Sequence, residues 1–109
     1  MEGKELKATL KLARDAIRAK EYKETLKHCK SILKHDKSNY NALVFVGVAA
    51  EGLEQPEQAI AAYRKATDIA PEQGLAWQGL CSFYEKADKE AYKADLAMVY
   101  EKLMHLCSE

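Results

Sequence analysis

A period of 34 residues is the feature of this sequence that most restricts its fold. Three apolar residues recur at that spacing, each followed by a small one: Leu12-Ala13, Val46-Gly47 and Leu80-Cys81. Later in the unit, Thr25 matches Ala59 and Cys29 matches Tyr63. A unit of this length is one supersecondary motif that buries its apolar face by stacking on its neighbours. The period therefore predicts a linear array of three units.

Each unit has the pattern of two amphipathic helices. Its apolar residues recur three or four positions apart, which places them on one helical face. The sequence predicts six helices. The third ends near Gly52, the fourth covers 56–69, the fifth runs from Pro71 or Glu72 to Ala87, and the sixth ends near Cys107.

Local signals set the expected helix ends. Ser38 or Asn39 can accept backbone N–H groups as the N-cap of the third helix. Gly52 favours a left-handed residue at the end of that helix. Pro71 disfavours the helical conformation at Ala70, so it ends the fourth helix.

The middle unit resembles a tetratricopeptide repeat, whose pattern is W-x2-L-G-x2-Y, then A-x3-F, then P. The matching residues are Leu43, Val46, Gly47, Ala50, Ala59, Tyr63, Ala66 and Pro71, and the third unit supplies Trp77-x2-Leu80-Cys81-x2-Tyr84. The resemblance implies an all-α fold. It would be a right-handed superhelical stack of three helix-turn-helix repeats, at 6–39, 40–73 and 74–107.

Both outer units depart from this pattern. Unit one has Thr9 and Lys37 where the family has an aromatic residue and a proline. In unit three, the second helix fits only if the turn gains three residues, around the charged segment 88–90. That register places Leu96, Tyr100 and Leu103 at the family's Ala, Phe and Ala positions. No further helix follows to cover this face, so we expect a piece of a longer array, or else self-association through helix six.

In the family, ligands often lie along the concave face formed by the first helices, and the resemblance implies such a protein-binding face here. The corresponding residues are Lys7, Leu10, Arg14, Ile17, Arg18, Asn41, Val44, Val48, Glu51, Gly52, Leu75, Gln78, Ser82, Glu85 and Lys86. The alternative is that many of them face solvent, while Val44 and Val48 pack on a neighbouring helix.

One branch of the family binds chaperone tails with a clamp of Lys, Asn, Asn, Lys and Arg. The five clamp places here are Leu10, Arg14, Phe45, Leu75 and Gly79. Because they provide a single cation, the sequence argues against binding of a chaperone tail.

A lysine stripe follows helix two, formed by Lys20, Lys23, Lys27, Lys30 and Lys34 at spacings of three and four. Such a stripe could follow an RNA backbone. The nearby aromatic residue, Tyr22, belongs to the buried face, so no base-stacking platform accompanies the lysines. Three interpretations stay open: a solvated outer face, contact with RNA, and docking on an acidic protein surface.

Nothing in the sequence indicates catalysis, a cofactor or a metal. A Gly-rich phosphate loop, a Ser nucleophile elbow and H-E-x-x-H are all missing from it. Cys29, Cys81 and Cys107 are far apart, which fits reduced intracellular thiols better than a zinc site. The longest apolar run, 43–50, is far shorter than the roughly 20 residues that span a bilayer. We therefore expect a non-catalytic protein with no cofactor and no membrane segment.

Short surface strings carry a narrower resemblance. The segments 13–17, 20–23, 26–30, 54–56 and 75–80 are similar to the N-terminus of the tetratricopeptide scaffolds of superkiller (Ski) complexes. That resemblance implies a scaffold for protein partners: the superkiller RNA helicase, WD-repeat subunits and an exosome-bridging factor. It also implies a role in 3′-to-5′ mRNA decay, in the cytoplasm, with the nucleus as a second compartment.

The net charge of zero hides a gradient. The chain has 17 Lys and Arg against 17 Asp and Glu. Residues 1–39 carry 11 of the basic and 6 of the acidic residues, whereas 40–109 carry 6 and 11. In a linear array, this order in sequence becomes a basic end and an acidic end in space.

Overall fold

The computed structural model describes residues 3–87 and 90–107, and these ranges contain helices and turns without a strand. The α-helices are α1 Gly3–Arg18, α2 Tyr22–His35, α3 Tyr40–Gly52, α4 Pro56–Ile69, α5 Gly74–Ala87 and α6 Lys93–Cys107. A short 3-10 helix, Glu90–Tyr92, precedes α6. The predicted all-α fold is confirmed. In the described ranges, no helix has the length and apolar character that crossing a membrane requires.

The helices stack in three successive pairs. The two helices of each pair pack on each other, α1 on α2, α3 on α4 and α5 on α6. The first helices also contact one another, because α3 touches α1 on one side and α5 on the other. The backbones of the second helices stay further apart. The first helices therefore form the inner side of the stack.

Tyr63 of α4 joins two repeats through close approach to glycines. Its ring is buried, and it lies against Gly47 of α3 and Gly79 of α5. A Cβ added at either glycine would come within 2.5 Å of the ring. The ring of Tyr63 thus fills the space that the missing side chain of Gly47 leaves, and this one tyrosine contacts both neighbouring first helices.

The core is continuous along the stack. One cluster of buried side chains involves α3 to α6, and a second one joins α1, α2 and α3. Leu33 packs against both clusters. Because neighbouring repeats share apolar contacts in this way, each repeat is stabilised partly by its neighbours.

The 34-residue period extends to the backbone of the turns. Lys20 and Glu54, 34 positions apart, both have left-handed conformations, with φ of 61° and 59°. The next residue in each turn donates its N–H to a helix carbonyl five positions back, Glu21 to Ala16 and Gln55 to Ala50. This is the Schellman arrangement for ending a helix.

The expectation that Gly52 adopts the left-handed conformation is wrong. None of the described glycines has a positive φ, and Glu54 takes that conformation instead. Gly52 is the last residue of α3, and a Cβ there would collide with the ring of Tyr22. Its small size is needed for packing and not for the turn.

Equivalent N–H groups are capped in two different ways. The side chain of Asn39 accepts the N–H of Ala42 at 2.9 Å, which confirms Asn39 as the N-cap of α3. The equivalent N–H in α5, that of Ala76, is donated to the hydroxyl of Tyr40 at 2.9 Å. The preceding repeat thus completes the helix start of the next one.

Helix α5 begins later than the sequence predicted, at Gly74 and not at Pro71 or Glu72. Residues 71–73 form a turn, in which the N–H of Gln73 donates to the carbonyl of Ala70. The carbonyl of Pro71 is occupied by the indole N–H of Trp77 at 2.9 Å. These two hydrogen bonds hold the segment outside the helix.

The predicted register of helix six is wrong. Tyr100, which the predicted register places at the family's aromatic position, is 43% exposed, whereas Val99 is fully buried. The inner face of this helix consists of Leu96, Val99, Leu103 and Leu106, preceded by Tyr92. The rings of Tyr92 and Tyr84 pack with their centroids 5.0 Å apart, which fixes this register. Asp88 and Lys89 of the expected insertion lie outside the described residues.

We predict that Gly47→Ala destabilises the fold although alanine is the better helix former. Overpacking against the buried Tyr63 ring costs about 1 to 3 kcal/mol, more than the roughly 0.5 to 1 kcal/mol that alanine gains in a helix. Urea unfolding followed by circular dichroism measures the difference. Gly74→Ala is the control, since its Cβ meets only an ordinary 3.6 Å contact. Equal stability of the two variants would contradict the packing argument.

Glu54→Gly is expected to stabilise the protein. A left-handed residue with a Cβ costs about 1 kcal/mol, and glycine removes that strain while keeping the turn. The measurement is the thermal unfolding midpoint, with Lys65→Gly as the control in the exposed interior of α4. The control should lower the free energy of unfolding by about 1 kcal/mol. A loss of stability in both variants would show that the turn is not strained.

Candidate protein-binding groove

A groove of about 670 Å³ lies where the C-terminal ends of α3 and α5 meet the N-terminal starts of α2 and α4. Its walls are Tyr22, Val48, Glu51, Gly52, Glu54, Gln55, Pro56, Phe83, Lys86 and Ala87. The lining combines apolar side chains with the carboxylates of Glu51 and Glu54 and with the cation of Lys86 from the next repeat. A surface of this kind can hold the apolar side chains of a peptide and orient its polar groups.

The groove depends on the close contact between α2 and α3. Gly52 has no side chain, so the half-buried Tyr22 lies against the backbone at the end of α3. Phe83 of α5 forms the opposite apolar wall and packs edge-on to Tyr84. Val48, half-buried on α3, lies between these walls and contacts the core cluster.

Glu51 is the polar group that distinguishes this groove. Its Oε1 atom is buried and has no hydrogen-bond partner. Burial raises the pKa of the Glu51 carboxyl, and the positive charge of Lys86 opposes that effect. The pKa of Tyr63 is also raised, first by burial and then by the negative charge of Glu51. The carboxylate is therefore an acceptor in the groove wall that a ligand's donor could satisfy.

The structure gives the predicted concave-face residues different surroundings. Val48 and Glu51 meet in the groove with Gly52 and Lys86, the two further positions that the family pattern implied. Val44 is only 5% exposed and packs in the core, so a partner cannot reach it. The rest lie outside the groove. Lys7, Arg14, Arg18, Asn41, Leu75, Gln78 and Glu85 are exposed, and Leu10, Ile17 and Ser82 are half-buried.

Sequence reasoning missed Tyr22 and Phe83 as groove residues. The sequence pattern places Tyr22 on the buried face of helix two and gives Phe83 no role in binding. The small residue Gly52 was a signal for Tyr22, because a glycine in a helix permits a large neighbouring side chain to approach closely. Nothing in the local pattern around Phe83 distinguishes a groove wall from a core residue.

Comparisons with known proteins identify relatives of this chain. No family model matches it. Superkiller complex protein 3 from Mus musculus is 62% identical over 106 residues, covering 97% of this chain and 7% of its own length. Tetratricopeptide repeat protein 37 from Xenopus laevis is 61% identical over 106 residues, again covering 97% of this chain and 7% of its own length. The chain belongs to the tetratricopeptide repeat family.

Solved structures share the same fold. The structure described as a MamA RS-1 ArsTM double mutant superposes with a TM-score of 0.82 at 26% identity, over 93% of this chain and 55% of that one. This tetratricopeptide repeat chain spans only 7% of the curated relatives it matches. These relatives support a general role in protein interaction, and none of them indicates an enzyme family.

All five residues of the lysine stripe, Lys20, Lys23, Lys27, Lys30 and Lys34, are exposed. Within the described part of the chain, none of them forms an ion pair. They lie along α2 and its preceding turn, separate from the groove at Glu51. The stripe is thus a second, independent surface on this tetratricopeptide repeat module.

The cysteines of the module are free thiols. Burial raises the pKa of Cys29 to about 12. Cys81 donates to Glu85 at 3.2 Å, and burial together with this contact raises its pKa to about 11. Both are therefore protonated at neutral pH and are poor nucleophiles. Within residues 3–87 and 90–107, no group of three or more His, Cys, Asp or Glu side chains is placed to hold a metal ion.

We predict that Glu51→Gln raises the thermal unfolding midpoint at pH 7. The folded state raises the pKa of Glu51 above its ordinary 4.5, so protonation favours folding and ionisation opposes it. The stabilisation is present below about pH 4.5 and is lost as the pH rises through the folded pKa. The advantage of the variant should therefore disappear at low pH. Glu101→Gln, at an exposed carboxylate, serves as the control. A variant advantage that does not change with pH would contradict this interpretation.

Proposed function

We propose that this tetratricopeptide repeat module is a non-catalytic docking segment of a superkiller scaffold. Its partners would be the superkiller helicase, the WD-repeat subunits and a factor that bridges to the exosome. The process would be 3′-to-5′ mRNA decay in the cytoplasm, with the nucleus as a second compartment. The proposal is supported by the similarity to superkiller complex protein 3 over nearly the whole chain.

The observation that carries a docking function is the unsatisfied oxygen of Glu51 in the groove wall. A buried acceptor without a partner costs about 1 to 3 kcal/mol, and a ligand that donates a hydrogen bond recovers part of it. Lys86, across the groove, offers a cation to a carboxylate of the same ligand. The apolar walls at Val48 and Phe83 would hold an aliphatic side chain between these two polar contacts.

The helicase and the bridging factor, each purified, provide the test. Each is mixed with the immobilised 109-residue chain, and the retained fraction is compared with that of the double variant Glu51→Arg, Lys86→Glu. We expect the partner that uses the groove to lose retention by at least about tenfold, because both polar contacts become repulsive.

The matched control is Lys65→Glu, Asp68→Arg, which exchanges the same charges on the exposed side of α4. It should retain the partner as the unmodified chain does. If neither partner is retained, these three repeats are not the docking segment for the helicase or the bridging factor. If the control loses as much as the groove variant, the groove is not the contact.

Self-association through α6 stays a prediction. The helix exposes Met98, Tyr100 and Met104, the last of them 73% exposed. This outer face is where a second copy would pack, and in the longer relatives a further helix would have the same place.

A further inference from the structure

A second groove lies between α2 and α3, and it shares no residue with the groove at Glu51. It has a volume of about 500 Å³. Its apolar floor consists of Leu26, Leu33 and Val46, all half-buried, and Lys30 and Lys34 line it as well. It therefore combines exposed aliphatic surface with two cations.

Two of the equivalent apolar positions 34 residues later are buried. Leu80, the counterpart of Val46, is 2% exposed, and Thr67, the counterpart of Leu33, is buried. The first interface is therefore more open than the second, although both are built from the same repeat positions.

The polar contacts of Arg64 account for part of this difference. In the second interface, Arg64 donates to the hydroxyl of Tyr84 at 3.3 Å and pairs with Asp95 at 3.5 Å. In the first interface, the counterpart of Arg64 is Lys30, and the counterpart of Tyr84 is Ala50. Alanine provides no hydroxyl, so the cation at Lys30 lacks the internal partner that Arg64 has.

The remaining lysines extend this charge along one side of the groove. At 100° per residue, Lys23, Lys27, Lys30 and Lys34 fall within an arc of about 60° on α2, and Leu26 and Leu33 lie directly beside that arc. The lysines span about 16 Å of helix. Glu24 is the single acidic residue of α2, so the field along this edge is positive.

We propose that this α2–α3 groove docks an acidic amphipathic helix of a partner protein. The aliphatic side chains of that partner helix, seven residues apart, match the spacing of Leu26 and Leu33. The Asp and Glu side chains of the partner helix face the lysine stripe. Helices that lay an apolar face into a groove in this way are a common recognition mode. The surface is distinct from the groove at Glu51, so the inference does not depend on the function proposed above.

An acidic helix fits this surface better than RNA does. The apolar floor offers nothing to a phosphate backbone, whereas it buries aliphatic side chains favourably. The aromatic residue of α2, Tyr22, has its ring against Gly52 and is not free to stack on a base. Lysines without base-stacking partners give weak and strongly salt-dependent RNA contact.

The test uses a fluorescein-labelled helical peptide of about 18 residues, with leucines at i, i+4 and i+7 and glutamates on both sides. Fluorescence anisotropy measures its binding to the 109-residue chain. The double variant Lys30→Glu, Lys34→Glu should weaken binding at least about tenfold. The control Lys65→Glu, Lys102→Glu makes the same charge change on exposed positions of α4 and α6, and it should weaken binding less than about twofold.

Two further measurements separate this site from its alternatives. Leu26→Ser should weaken binding of the peptide. Changes in the amide NMR chemical shifts on peptide binding should concentrate in α2 and α3. The proposal is overturned if the leucine peptide fails to bind, if the control weakens it equally, or if the shifts concentrate around Glu51. It is also overturned if a single-stranded oligouridylate binds the stripe more tightly than the peptide does and Leu26→Ser has no effect.

Discussion

The contact of Tyr63 with Gly47 and Gly79 is the constraint on which the rest of the stack depends. One buried ring lies against the first helices of two successive repeats, and neither position has room for a Cβ. Interiors packed at this density transmit a change at one residue to its neighbours. The ring of Tyr63 therefore limits how closely α3, α4 and α5 approach one another, and that spacing positions the groups that these helices carry.

The groove at Glu51 follows from that spacing. The ends of α3 and α5 are held next to each other, which brings Glu51 and Lys86 from adjacent repeats to one site. The glycine at position 52 then lets Tyr22 form a wall at the end of α3. Small residues at helix contacts thus determine both the packing and the shape of the surface. A carboxylate oxygen remains buried and unsatisfied there, which is a stability cost that suits a binding site better than a core.

The two interfaces between repeats show how one pattern gives two kinds of surface. Where Arg64, Tyr84 and Asp95 interact, polar contacts join α4 to α5 and α6. Where Lys30 and Ala50 replace the first two, the cation stays exposed and an aliphatic groove remains open beside it. The basic end of the charge gradient thus also carries an accessible apolar groove. A partner that binds at this end needs both acidic and aliphatic side chains.

The sequence by itself determined the six helices, the 34-residue period and the tetratricopeptide resemblance, and it limited the N-cap of α3 to Ser38 or Asn39, because these depend on local patterns. It did not determine that Gly52 serves packing while Glu54 makes the turn, that Val99 and not Tyr100 is buried, or that Val44 is unavailable to a ligand. Tertiary structure decided these points. Which face of a helix is covered, and which small residue admits a ring, depend on neighbours that are distant in the chain and that no local pattern specifies.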